Sequence, residues 1–241
     1  MMPLLRVQGL AVARVGQERV LSGLDFDVVP GERVGLVGPN GTGKSSLFLT
    51  LAGVLPAAAG RVELAGVPVR AGRFDPTVGM VFQHAEDQLF CPTLAEDVAF
   101  GPRQQGLTGT DLDARVAEAL SVCDLNHLAG RPIHHLSGGE KRRACIAGVL
   151  AMRPRLMLLD EPSAALDLRS RRRLIELLRG IEPTLMVASH DLDLVLELCS
   201  RVILIDGGRI RADGPAPAIL GDAALMAAHG QEVPPALRFR R

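Results

Sequence analysis

Apolar positions along this 241-residue chain fall into short, separated runs. Leu4 to Val12 alternates loosely between apolar and polar and predicts a strand. Val20 to Val29 predicts a second, stopped by the turn pair Pro30-Gly31. Arg33 to Val37 is a short apolar strand running into a glycine-rich loop. Lys44 to Leu55 has helical character and stops near Gly53 and Pro56. Val78 to Phe82 predicts another short strand. The texture then changes, from about His84 to Leu136. Amphipathic helical segments, Leu94 to Phe100 and Leu112 to Cys123, are separated there by Gly, Pro and Thr-rich turns. From Gly139 onward helices and buried strands alternate: Leu156 to Leu159 and Thr184 to Ala188 as strands, with Ser170 to Leu178 as a helix between them. Leu192 to Cys199 follows as a helix and Arg201 to Ile205 as a strand. That alternation predicts an α/β fold around a parallel sheet, with the middle stretch as an inserted helical subdomain. The expected partition of this single domain is a core of residues 1–83 and 146–220, a helical subdomain of 84–145, and a tail of 221–241.

Charge narrows the function. The chain carries 27 basic and 27 acidic side chains, and such a balance argues against nucleic acid as the main partner. Apolar stretches such as Ile146 to Met152 fall far short of the roughly 20 residues needed to span a bilayer. No signal-peptide pattern opens the sequence. A membrane role therefore requires docking onto a separate membrane subunit. The four cysteines, Cys91, Cys123, Cys145 and Cys199, lack CxxC spacing and read as buried reduced thiols in a cytosolic protein. Of the basic residues only Lys44 and Lys141 are lysines, which singles out Lys44 in its glycine-rich loop.

That loop is Gly38-Pro39-Asn40-Gly41-Thr42-Gly43-Lys44-Ser45-Ser46, whose first eight residues fit GxxxxGK[ST] between a strand and a helix. Its glycines allow backbone N–H groups to turn inward around phosphates, and the helix N-terminus adds a favourable dipole. Lys44 is suited to the β- and γ-phosphates and Ser45 to Mg²⁺. Further along, the buried strand Leu156 to Leu159 ends in Asp160-Glu161-Pro162. Asp160 is suited to hold Mg²⁺, directly or through water, and Glu161 to polarise an attacking water. His190 follows another short strand, as either a structural residue or a γ-phosphate contact. Ser137, Gly138 and Gly139 open a helix, as either an ordinary cap or a second anion site. Two phosphate sites on one short chain are explained if the second serves the nucleotide of a partner subunit.

The ordered set of these motifs resembles the ABC transporter ATPase family over essentially the whole chain. The resemblance implies the ABC form of the P-loop NTPase fold, with a parallel core sheet, an antiparallel β subdomain and an inserted α-helical subdomain. It implies ATP and Mg²⁺ as cofactors and a head-to-tail dimer with two ATP sites at its interface. Gln83 becomes the Q-loop residue, a Mg²⁺ ligand and catalytic group; Ser163 to Asp167 becomes the D-loop, and His190 the switch histidine. Both halves of a complete site are present, so a homodimer is the simplest assembly.

The segment VGMVFQHAEDQLFCPTLAEDVAFG (78–101) and the tail LMAAHGQEVPPAL (225–237) resemble the energising ATPases of energy-coupling-factor importers, especially those for cobalt and nickel. That resemblance implies a transmembrane coupling protein, a small membrane substrate binder, and a peripheral position on the cytoplasmic face of the membrane. The surface around Gln83, Asp87, Gln88, Phe90 and Glu96 would receive a coupling helix; alternatively Leu89 and Phe90 are subdomain core. A vitamin importer and a soluble ABC ATPase are the other readings. The family places an aromatic residue against adenine near the position held here by Arg14. Arg14 either stacks on the base through its planar guanidinium or points into solvent.

Overall fold

The computed structural model describes residues 2–13 and 19–238; Arg14 lies outside them. The first elements are β1 (Leu5–Ala13), β2 (Arg19–Val28), β3 (Arg33–Val37), α1 (Lys44–Leu51), β4 (Ala59–Leu64), β5 (Val67–Pro68) and β6 (Val78–Val81). Next come α2 (Leu94–Gln104), α3 (Gly109–Val122), α4 (Gly138–Ala151), β7 (Leu156–Asp160), α5 (Leu168–Gly180), β8 (Thr184–Ala188) and α6 (Leu192–Leu198). The chain closes with β9 (Arg201–Asp206), β10 (Arg209–Pro215), α7 (Ala216–Gly221), α8 (Ala223–Ala228) and α9 (Pro235–Arg238). Two compact units result: residues up to 75 together with those from 182 onward, and residues 76–181.

In the first unit β3 lies between β8 and β9, parallel to both, and β10 runs antiparallel on β9. Leu36 sits opposite Ala188 and Ile203. Val34, Leu36 and Val37 and all of β8 are buried, as expected for parallel strands covered on both faces. A separate antiparallel sheet has the order β2-β1-β4-β5. Strands β4, β5 and β10 and helices α7 to α9 were not expected from the pattern. They are short or rich in polar and small residues, so sheet pairing and packing define them more than periodicity does.

In the second unit β6 and β7 pair in parallel, with Val81 opposite Leu159. Helix α4 packs against β6, α2, α3 and α5. It buries Ala144, Cys145, Ile146, Ala147 and Val149 together with Arg142 and Arg143, so it carries no amphipathic stripe. Helix α2 starts with a capping box between Thr93 and Glu96 and runs past its expected end at Phe100, through the buried Pro102. Conversely, α1 ends at Leu51, short of the expected Leu55. Three cysteines, Cys123, Cys145 and Cys199, are buried free thiols whose pKa burial pushes up to about 12. Cys91 departs from the expected burial and is only partly covered. Among the described residues no helix is long and apolar enough to cross a membrane.

Candidate active site

Strand β3 delivers the chain into the loop at Gly38, whose φ is 145°. A Cβ there would lie 1.9 Å from the Ile205 carbonyl oxygen, so the position is closed to any side chain. Gly43, with φ 97°, precedes α1; a Cβ there would meet Val20 at 2.8 Å. The N-cap is Gly43, which has no side chain to offer the first-turn amides, and no acid lies in that turn. That leaves a helix N-terminus suited to an anion. Lys44 is 7% exposed, and its Nζ donates to the carbonyl oxygens of Gly38 at 2.7 Å and Pro39 at 3.0 Å. The hydroxyl of Thr42 donates to the Pro39 carbonyl at 2.9 Å, tightening the turn. Ser45 is half-buried and Ser46 buried, while Asn40 and Gly41 are exposed. His190 is exposed just past β8, the strand beside β3, so it leaves the same edge as the phosphate loop. Next to it, Ser189 Oγ accepts from Asp191 N–H at 3.1 Å and Asp191 caps α6.

Gly38→Ala is expected to cost about 1–3 kcal/mol, from overpacking against a backbone carbonyl. Thermal unfolding of the variant would read the loss. An unchanged Tm would contradict the tight approach of Gly38 to Ile205.

The second unit holds the remaining residues. Strand β7 ends in Asp160, which is 4% exposed, and Glu161, which is 6% exposed. Glu161 has φ 46°, a left-handed conformation that costs a non-glycine residue on the order of 1–3 kcal/mol. Gln83 is exposed just after β6, so it emerges beside Asp160 and Glu161 at the ends of a parallel pair. Ser163 to Asp167 connects β7 to α5, with Asp167 Oδ1 accepting from Ser170 N–H at 2.7 Å. Ser137 is the exposed N-cap of α4. Its backbone N–H and hydroxyl both donate to Glu140 Oε2, each at 2.7 Å, and this holds the Glu140 carboxyl below its ordinary pKa. Ser137 is thus an ordinary cap within one chain, and Gly138 and Gly139 form the first turn beyond it. The phosphate loop and His190 belong to the first unit, and Gln83, Ser137 to Gly139, Asp160 and Glu161 to the second.

Residues 21–164 match the ABC transporter family model. The chain belongs to the ABC transporter family. It is the ATP-binding, ATP-hydrolysing subunit of such a transporter. A cobalt import ATP-binding protein, CbiO, of Rhodobacter capsulatus is 44% identical over 97% of this chain and 86% of its own length. An energy-coupling factor transporter ATP-binding protein, EcfA, of Methanothermobacter thermautotrophicus is 44% identical over 86% of this chain and 69% of its own. The solved structure of cbiO1 from Clostridium perfringens, part of the ABC transporter complex cbiONQ, superimposes with a TM-score of 0.83 at 31% identity. That match covers 95% of this chain and 94% of the other.

Two side chains of this ABC subunit escaped the sequence reading. Asp97 is 8% exposed, and its Oδ1 accepts from the N–H groups of Phe90 and Cys91, each at 3.0 Å. It shapes the loop that presents Phe90, which is 65% exposed and meets Phe100 edge to face at 4.8 Å. Leu89 is buried, so only that member of the Leu89-Phe90 pair is core. Arg142 is the second, with its guanidinium on the Phe82 and Gln83 carbonyls. The one sequence signal for Asp97 was an acid next to the capping Glu96; Arg142 had none.

Proposed function

We propose that this chain powers an energy-coupling-factor importer for cobalt or nickel ions, working as a homodimer on the cytoplasmic face of the membrane. The observation that carries the reading is the 78–101 segment, folded so that Phe90 and Phe100 expose an aromatic pair. The 44% identity to a cobalt import protein supports it. The partners are a transmembrane coupling protein, seated on Gln83, Asp87, Gln88, Phe90 and Glu96, and a membrane substrate-binding subunit. The proposed helical subdomain, 84–145, carries most of that surface and the signature.

In this reading the loop of residues 38–46 binds the phosphates of ATP and Lys44 neutralises them. Ser45, Gln83 and Asp160 offer only oxygen donors, which suits a hard cation such as Mg²⁺. Bound there, Mg²⁺ neutralises charge on the phosphate oxygens. Glu161 polarises the attacking water and His190 contacts the γ-phosphate. Ser137 to Gly139 act on the nucleotide held by the second subunit. The transported metal does not touch this chain.

The test is isotopic uptake by cells carrying the assembled transporter. Phe90→Ala and Asp87→Ala are expected to leave ATPase of the isolated chain intact. Uptake should fall about tenfold or more for Phe90→Ala, the effect of losing one interface anchor. Unchanged uptake in both variants places the docking surface elsewhere, and uptake of a vitamin in place of cobalt or nickel overturns the substrate.

A further inference from the structure

Helix α4 holds the segment that follows β6 through side chains of its first two turns. Arg142 is the centre of that grip. Its Nη1 donates to the Phe82 carbonyl at 2.6 Å and its Nη2 to the Gln83 carbonyl at 2.5 Å. On one side Lys141 Nζ reaches Glu86 Oε1 at 3.1 Å. On the other, Cys145 Sγ lies 3.8 Å from the Ala85 carbonyl oxygen. Phe82 is pinned from its other edge too, because its N–H donates to Gln88 Oε1 at 3.0 Å.

Arg142 is 4% exposed. A buried guanidinium is costly to desolvate, and an apolar side chain of similar volume would fill the space at lower cost. What an apolar side chain cannot do is fix two successive carbonyls. The rigid planar fork of arginine sets both their position and their direction. Ser137 caps the same helix, five residues before Arg142 and about 7.5 Å along the axis. Ser137 is locked to that turn by its capping box with Glu140.

We propose that Arg142 is a positioning residue that makes the Gln83 backbone and the Ser137 end of α4 one mechanical body. A displacement of Gln83 by a docked membrane partner is then delivered to Ser137, and closure on nucleotide at Ser137 is delivered to Gln83. The exposed Lys141–Glu86 pair is a minor second strap. This inference rests on the roles proposed above for Gln83 and Ser137.

The experiment compares the full chain with its Arg142→Met and Arg142→Lys variants by steady-state ATPase and by amide hydrogen exchange. Arg142→Met is expected to lower kcat by about tenfold or more, the scale of a misplaced catalytic group, with KM for ATP within about twofold of wild type. Exchange should quicken at residues 82–87 and stay unchanged at 38–47. Arg142→Lys keeps the cation without the fork, so its kcat should fall between the two. Lys141→Ala should change kcat by less than about twofold. A folded Arg142→Met with wild-type kcat overturns the proposal. So does a kcat loss matched in the lysine variant without faster exchange at 82–87, which marks Arg142 as mere packing. If Arg142→Met does not fold, Arg142→Lys decides: lower kcat, unchanged KM and faster exchange support the tether, and wild-type kcat overturns it. Wild-type protein whose ATPase does not depend on Glu161 would instead remove the proposed site itself.

Discussion

Glu161→Gln should bind ATP as well as the wild type and hydrolyse it about 10²–10⁴-fold more slowly, the usual range for losing a general base. The substitution keeps the size of a side chain that is 6% exposed and leaves the left-handed backbone at φ 46° as it is. Only the negative charge proposed to draw a proton from water is removed. Binding should be spared because the proposed phosphate site is the loop around Lys44 and the N-terminus of α1, not Glu161. With hydrolysis blocked, ATP should hold two chains together, since a ligand bound between subunits stabilises their association by mass action. Single-turnover hydrolysis and gel filtration with ATP would read both effects. Near wild-type turnover in the variant would remove Glu161 from this role.

Ser137→Arg should abolish hydrolysis while leaving nucleotide binding by the monomer largely intact. Ser137 is exposed, so arginine causes no clash within the chain. Loss of the cap costs α4 only about 1 kcal/mol, and the protein should still fold. A bulky cation would then occupy the helix start proposed to serve the second subunit's nucleotide. Lys44→Ala is the control, because it removes the proposed phosphate contact and should weaken binding by the monomer. If Ser137→Arg weakened nucleotide binding by monomers as badly as Lys44→Ala, a site shared between two chains would be wrong.

Strands such as β3 and β8 were legible to the residue. Arg33–Val37 and Thr184–Ala188 are short runs bounded by turns, and their burial follows from composition alone. The phosphate loop was legible for a related reason. Its chemistry lies in consecutive backbone groups, so the spacing of glycines and Lys44 states it directly. Glu161 could be singled out because it directly follows an apolar strand, although its left-handed backbone had no sequence signal. Gln83 was reached by resemblance only; nothing in its immediate neighbours marks it. Strand β10, RIRADGP, was missed because its pairing with β9, not a periodic pattern, makes it a strand. Arg142 was invisible because its partners, the carbonyls of Phe82 and Gln83, lie 60 and 59 residues away in sequence. Backbone acceptors leave no trace in composition, so a buried basic residue in a helix reads as just another charge. The exposure of Phe90 depends in the same way on the hold of Asp97 on the preceding loop.

In the proposed dimer each ATP is hydrolysed between the phosphate loop of one chain and the Ser137 end of another. Mixing two inactive variants, Lys44→Ala and Ser137→Arg, tests it most directly. A mixed dimer brings the intact loop of the Ser137→Arg chain against the intact Ser137 of the Lys44→Ala chain, and so contains one sound site. ATPase activity, absent in each variant alone, is expected to reappear on mixing. If every site were built within a single chain, each would carry one lesion, and a mixture as inactive as its components would contradict the account.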